Sequence, residues 1–335
     1  MITGGTGYIG AWLTKMLLEK GYTVRLTVRD KNRTEKYAPL QEIADSAGST
    51  LDLYEADLLK EGSFDEAARG ADAIMHVASP FILKVKDPQK DLIEPAVNGT
   101  RNVLGAASRS GSVKKVVLTS SVAAIMGDNA EMAEKGLSEI DETQFNTSSR
   151  PENQPYQYSK VTAEKEAWKL HDAQTDWKLV VINPSFVMGP TLENIPSDSE
   201  SLQFMKGMIS GKFASGAPDL KFGFVDVRDV ARAHVLALEN DDVSGRFLLA
   251  ERAAGVIDLA QLLRDEFGDK FKLPKSIAPK FLLYLTGWMF GVTFSFVKRN
   301  VGYDLKLNTS RSREILGLKY TDLKVTVKDM VNQMS

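Results

Sequence analysis

The chain has 335 residues, 43% hydrophobic and 26% charged, with a formal net charge of −2: enough ordinary globular sequence for one large domain or a domain with a smaller lobe, and too little positive charge to gather nucleic acid or an anionic membrane surface. It has no cysteine, which excludes disulfides, a thiol nucleophile and thiolate metal sites, and His76, His171 and His234 have no spacing that sets two on one helical turn, so no metal is expected. The expectation is a cytoplasmic monomer or homodimer acting on a small molecule, with no nucleic-acid or membrane partner; the longest uncharged run, 281–297, falls short of the roughly 20 residues of a spanning helix.

Residues 3–10 read Thr-Gly-Gly-Thr-Gly-Tyr-Ile-Gly. Glycines at 4, 7 and 10 let the backbone turn out of a strand, approach a pyrophosphate and pack the next helix on the sheet. Ile9, Leu13, Met16 and Leu17 then share a helical face while Lys15, Glu19 and Lys20 lie off it, and the amides at the helix start favour an anion. Gly4, Gly7, Tyr8, Ile9 and Gly10 are therefore candidate cofactor contacts. A β-rich second strand over 22–28 runs into a charged loop. A fold that prefers an unphosphorylated ribose places a carboxylate at this strand tip; Arg29 there suits a 2′-phosphate, with Lys36 as a second cation and Asp30 as the competing group. The expected cofactor is NADP(H).

A third strand over 51–54 leads to Asp57 and Leu58, placed to grip an adenine, and a fourth over 73–78 leads through Ala78 to Ser79. Residues 91–108 have helical periodicity, 115–121 form a fifth strand, and 127–153 are polar and irregular, long enough for a flap. A helix opening at Pro155 sets Tyr156 and Lys160 four residues apart on one face. The sixth strand, 177–183, ends at Pro184 and Ser185. After an irregular stretch over 191–222, Val227, Val230, Ala231, His234 and Leu238 recur at helical spacing behind a capping Asp226. A seventh strand spans 246–250, and the remainder reads as mostly helical. This alternation predicts an α/β, doubly wound parallel sheet, with a cofactor domain over 1–183 and 219–250 and a substrate lobe over 184–218 and 251–335.

Ser121, Tyr156 and Lys160 carry the chemistry. Reducing a carbonyl needs hydride at carbon and a proton at oxygen. Tyrosine is a poor acid at its ordinary pKa of about 10, but a neighbouring ammonium stabilises the phenolate; Ser121 would polarise the substrate oxygen. A Tyr-x-x-x-Lys match alone arises often by chance, and a strand-end serine is commonplace. Their order after a glycine loop, each at the C-terminal end of a strand or opening a helix there, is what makes the set specific. Two other readings share the fold: an NAD-dependent nucleotide-sugar epimerase or dehydratase, and a non-catalytic NADP(H)-binding sensor. A dehydratase needs an extra acid and base beside the serine, where Val122, Ala123 and Ala124 offer none; a sensor usually loses the tyrosine or lysine, and this chain keeps both.

The glycine loop, Thr-Val-Arg-Asp at 27–30, Asp57-Leu58, Val-Ala-Ser-Pro-Phe at 77–81, Thr-Ser-Ser at 119–121, the stretch 156–160, Asn-Pro-Ser at 183–185, Phe-Val-Asp-Val-Arg-Asp-Val-Ala at 224–231 and the stretch 312–320 together resemble the extended short-chain dehydrogenases/reductases, whose fold is a Rossmann sheet with a C-terminal lobe. Within them the chain is similar to the branch of dihydroflavonol 4-reductases, cinnamoyl-CoA reductases and fungal aldehyde and methylglyoxal reductases. The resemblance implies an NADPH-dependent reductase with Ser121, Tyr156 and Lys160 as triad and Pro184 and Ser185 beside the nicotinamide. Two departures narrow the substrate. Ile125 stands where plant dihydroflavonol reductases read the flavonoid ring, and Glu-Asn-Gln-Pro-Tyr-Gln-Tyr at 152–158 replaces the signature of the CoA-ester reductases. An apolar or aromatic aldehyde or ketone is expected instead, in a pocket between the Ser121 and Tyr156 loops, the segment after Pro184 and the lobe containing Trp288. A third departure is the short run before the glycine loop, which predicts a thin central strand.

Overall fold

Short apolar runs bounded by turns form strands buried on both faces when helices cover the sheet. The computed structural model describes residues 1–79, 86–195, 197–287 and 292–334; Pro80, Phe81 and Trp288 lie outside the described residues. Seven strands, β1 (Ile2–Thr3), β2 (Val24–Val28), β3 (Leu51–Glu55), β4 (Ala73–His76), β5 (Lys115–Thr119), β6 (Lys178–Pro184) and β9 (Gly245–Leu249), form one sheet. Its order is β3-β2-β1-β4-β5-β6-β9, and every pairing is parallel. Strand order reverses between β1 and β4, which opens a crevice at their C-terminal ends.

The central strand is thin, as expected: β1 has two residues. It is held by pairing on both sides, Ile2 opposite Leu26 and Met75, and by the Met1 amino group donating to Ala73 O at 2.8 Å. One face of the sheet is covered by the helices Tyr8–Glu19 and Val227–Glu239, through Leu13, Leu17, Val230 and Val235. On the other face, Val103 and Leu104 of the helix Glu94–Ser110 pack with Phe64, Ala167 and Trp177.

A second sheet of three strands, β7 (Phe186–Met188), β8 (Lys221–Asp226) and β10 (Arg252–Gly255), runs β10-β8-β7. Phe186 stacks on Phe222 at 5.3 Å and meets Phe224 edge-on at 5.9 Å, a geometry aromatic pairs prefer. The motif at 224–231 joins this sheet to the final helix, Leu323–Met334. Buried Asp226 caps the helix Val227–Glu239, accepting from Arg228 N at 2.7 Å, and also accepts from Thr326 Oγ1 at 2.8 Å. Arg228 in turn donates to Asp329 at 2.7 Å, and Asp229 accepts from Thr321 N at 2.6 Å.

In the large sheet the strands are those expected, within a residue or two at each end, whereas the second sheet was not expected. The fourth stops at His76, leaving Val77 and Ala78 beyond it. The helix expected from residue 91 is preceded by a wide turn, Gln89–Ile93, and continues as an α-helix to Ser110. Within 191–222 lies the helix Glu200–Ile209, and the region after 250 opens with a strand, β10, rather than a helix.

The stretch 127–153 is not a flap. Asp128, Glu131, Asn146 and Ser149 are buried. Asp128 accepts from Arg299 Nε at 2.6 Å, Asn300 Nδ2 at 2.7 Å and Gln154 Nε2 at 2.6 Å. Glu131 accepts from the Gly127 and Asp128 amides at 2.7 and 3.1 Å, and from Ser148 Oγ. Buried polar groups in such networks hold a segment when every partner is supplied; the segment is a clamp between the Tyr156 helix and residues 299–300.

Candidate active site

The glycine loop leaves β1 and turns tightly into the first helix, with Gly7 N donating to Gly4 O at 3.0 Å. Gly4 has φ +68°, and a Cβ there would sit 2.8 Å from the Cα of Ala78; only glycine combines that backbone with so close an approach. A Cβ on Gly10 would fall within the Gly4 carbonyl and 2.7 Å from Gly5 Cα. Gly7 is exposed, at the N-cap, and no side chain caps the helix, so the first amides stay free for an anion. Tyr8 and Ile9 follow in the first turn, half-buried. The Tyr8 hydroxyl donates to Gly189 O at 2.6 Å, and Trp12 Nε1 donates to Pro190 O at 2.9 Å. Burial raises the Tyr8 phenol well above its ordinary range. Ile9 packs on the core.

At the tip of β2, Arg29 is exposed and its side chain makes no hydrogen bond or ion pair among the described residues. Lys36 ends a short 3-10 turn, Thr34–Lys36, half-buried. At the ends of the neighbouring strands, Asp57 folds over its own turn, accepting from Leu59 N at 2.9 Å, while Leu58 packs against Gly99 and accepts from Asn102 Nδ2 at 2.7 Å. Ala78 N donates to Thr3 O at 3.1 Å. Leu58, Ala78, Ser79 and Lys160 meet around a small cavity of about 30 Å³, together with His76 and Glu164.

The helix Pro155–Asp172 presents Tyr156 in its first turn, 50% exposed and so open to a substrate. Lys160 Nζ lies 5.6 Å from the centre of the Tyr156 ring and donates to Ser79 Oγ at 3.0 Å. Ser121 follows β5 and opens a 3-10 turn; its hydroxyl accepts from Ala123 N at 3.2 Å and donates to no group among the described residues. Pro184 ends β6, and the Ser185 hydroxyl is buried without a partner among the described residues. A buried hydroxyl with no partner is costly and marks a position ready for a polar ligand group.

Two histidines close under this site. His76 bonds through Nδ1 with Thr3 Oγ1 at 2.8 Å; its pKa is pushed down to about 3, first by burial and then by the charge of Lys160. His234 donates from Nδ1 to Val230 O at 2.8 Å, an assignment the carbonyl requires, so Nε2 accepts from Thr119 Oγ1 at 2.6 Å. Burial pushes its pKa down to about 4. Both rings are neutral.

Other expectations fall elsewhere. Ile125 is fully buried among Met126, Ile140, Leu248 and Leu305; it faces the core. A separate cavity of about 1100 Å³ beside β9 is lined by Phe145, Trp168, Arg246 and Arg311 and contains none of the triad or the glycine loop. Residues not singled out from sequence also shape the site. Gln154, just before the Tyr156 helix, donates to Asp128 and accepts from Ser149 Oγ at 2.6 Å. Asn183 Nδ2 donates to Ser121 O at 3.1 Å. Glu164, four residues after Lys160, is buried; that spacing was the one available signal. Among the described residues there is no cluster of side chains fit for a metal and no helix long and apolar enough to cross a membrane.

Residues 1–250 match the model of the NAD dependent epimerase/dehydratase family. The chain is 38% identical over 336 residues to a cinnamoyl-CoA reductase of Medicago truncatula, covering 99% of this chain and 94% of that protein. It is 34% identical over 286 residues to an anthocyanidin reductase of Vitis vinifera, 82% of each chain. Among solved structures it resembles Gre2 of Candida albicans in complex with NADPH, with a TM-score of 0.78 at 31% identity, covering 99% of this chain and 97% of that one.

Proposed function

The chain belongs to the NAD dependent epimerase/dehydratase family, and from that premise we propose that it is an NADPH-dependent reductase converting an aldehyde or ketone to an alcohol. The observation that carries this reading is Lys160, whose ammonium sits against the Tyr156 ring and at Ser79 Oγ, beside the mouth of the glycine loop. Named reductases among the relatives, and NADPH in the Candida Gre2 structure, support it.

The residues fit a dinucleotide phosphate. Gly4 and Gly10 leave no room for a Cβ beside the backbone and Gly7 lies exposed at the helix start, so the loop brings bare backbone to the pyrophosphate at the uncapped helix start, Tyr8 and Ile9, and Arg29 with Lys36 takes the 2′-phosphate. Asp57 and Leu58 border the adenine, and Ala78, Ser79, Pro184 and Ser185 border the nicotinamide end. When bound, NADPH supplies the hydride. Ser121 donates its free proton in a hydrogen bond to the substrate oxygen and draws charge onto it. Tyr156, half exposed in the first turn of its helix, gives its phenolic proton to that oxygen, and Lys160 stabilises the phenolate left behind. We assign cofactor binding to 1–183 and 219–250 and substrate recognition to 184–218 and 251–335.

The substrate class is an apolar or aromatic aldehyde or ketone, because Ile125 turns away from the site and offers no polar reader of a flavonoid ring. Loss of NADPH absorbance against a panel of aromatic and aliphatic aldehydes, ketones and diketones, with NADH in parallel, tests the reading. Turnover favouring NADPH supports it. Silence across the panel with retained dinucleotide binding overturns it in favour of a sensor.

A further inference from the structure

Glu164 is a carboxylate with no exposure of its own, on the helix of Tyr156 and Lys160 and one turn beyond the lysine. Its Oε2 accepts from Ser120 Oγ at 2.5 Å and from Asn183 Nδ2 at 2.7 Å. Its Oε1 accepts from Arg246 Nε at 2.5 Å. These three donors come from different strands or strand ends, Ser120 directly after β5, Asn183 on β6 and Arg246 on β9, while Trp168 Nε1 of the same helix donates to Oε1 at 3.4 Å. Asn183 Nδ2 also donates to the backbone carbonyl of Ser121. Arg246 is fixed in turn, its Nη1 donating to Glu142 O at 2.6 Å and Gln144 O at 2.5 Å and its guanidinium lying 3.9 Å from the Phe145 ring centre.

A buried ion pair is a weak source of stability, since desolvation offsets most of its attraction. What it supplies is registry: charge-assisted hydrogen bonds are short and directional. One carboxylate here sets the distance between the helix that carries Tyr156 and Lys160 and the strand end that carries Ser121. We propose that Glu164 is a positioning residue for the reduction, holding Ser121 opposite Tyr156 and Lys160 through Ser120 and Asn183 without touching the substrate. The proposal rests on the reductase reading above.

The test is a double-mutant cycle on the full chain between Glu164→Gln and Ser121→Ala, read as kcat, KM and NADPH affinity. Glutamine keeps the volume but replaces one acceptor oxygen and the charge by an NH2 group, which neither Arg246 Nε nor Asn183 Nδ2 can accept from. E164Q is expected to lower kcat about 10- to 100-fold, as small misplacements do, with NADPH affinity held within about 2-fold because the glycine loop and Arg29 lie elsewhere. The diagnostic readout is coupling. S121A should cost at least about 10-fold less in the E164Q background than in the natural protein. If the two losses simply multiply, Glu164 is only a structural residue and the proposal fails. Should E164Q not fold, Ser120→Ala removes one donor at almost no change in volume and enters the same cycle with the same expected coupling. Y156F separates the two claims: if it keeps natural activity the reductase reading itself fails, whereas an inactive Y156F with multiplicative losses in the cycle overturns the Glu164 role alone.

Discussion

Asp30 and Asn32 close a turn at the tip of β2: Asp30 Oδ1 accepts from the Asn32 backbone N at 2.9 Å and from its side-chain Nδ2 at 3.0 Å. The carboxylate weighed against Arg29 thus has one oxygen engaged by its own loop, while the Arg29 side chain has no partner among the described residues. Replacing Arg29 by alanine is expected to raise the KM for NADPH by about 10- to 100-fold, the worth of a charge-assisted phosphate contact, with the KM for NADH nearly unchanged. Parallel kinetics with both cofactors check this. Equal losses with both would assign Arg29 to folding.

Tyr156→Phe removes the proposed proton donor and little else, since the ring is half exposed. NADPH affinity should stay within about 2-fold, while kcat falls by about 100- to 10,000-fold, the usual contribution of a general acid. Fluorescence titration beside steady-state rates separates the two effects.

The glycine loop separates folding from binding at two positions. A Cβ at Gly10 meets backbone atoms that cannot rotate away, so Gly10→Ala is expected to destabilise the fold by about 1–3 kcal/mol, the cost of overpacking. At Gly7 the nearest atom to a Cβ is Gly4 O at 3.3 Å, and the residue already has φ −86°. Gly7→Ala should therefore keep its urea midpoint close to the natural one while weakening NADPH binding at least about 10-fold, because the added methyl occupies the phosphate approach. Unchanged affinity would remove Gly7 from the cradle.

His76 and His234 make stability depend on pH. Each titrates near 6.5 when unfolded and only near 3 and 4, respectively, when folded. The unfolded chain therefore binds more protons below 6.5, and stability falls as pH drops, by roughly 1.4 kcal/mol per pH unit for each ring. Urea unfolding at pH 7.5, 6 and 5 should show the slope steepening below 6.5 as the two rings add to it. H234Q should lower the slope by one proton; a profile flat from 7.5 to 5 would show that neither ring is buried neutral.

Much of this was readable from the chain. Val24, Leu26 and Val28 in a run bounded by turns could only be a covered strand, and four-residue spacing put Tyr156 beside Lys160 before any coordinates did. The clamp over 127–153 was hidden, because its order comes from Asp128 meeting Arg299 and Asn300, 171 and 172 residues away. A locally polar, irregular stretch looks the same whether its side chains face water or one another. β7 spans three residues, too few to show a period, so the second sheet was invisible. Glu164 stood in view at the right spacing, but its partners Ser120, Asn183 and Arg246 are assembled only by the order of the strands.

The latch at the 224–231 motif bears on where this protein can be divided. The family match stops at residue 250, yet Asp226 and Asp229, both buried, find donors in Thr326 and Thr321. Leu259, Leu263 and Met330 close the apolar cluster around Phe224. A fragment ending at 250 would carry two carboxylates stripped of those donors and an uncovered aromatic face. The stretch that the family model matches is therefore not an autonomous unit: it borrows the last layer of its own wall from residues beyond 250.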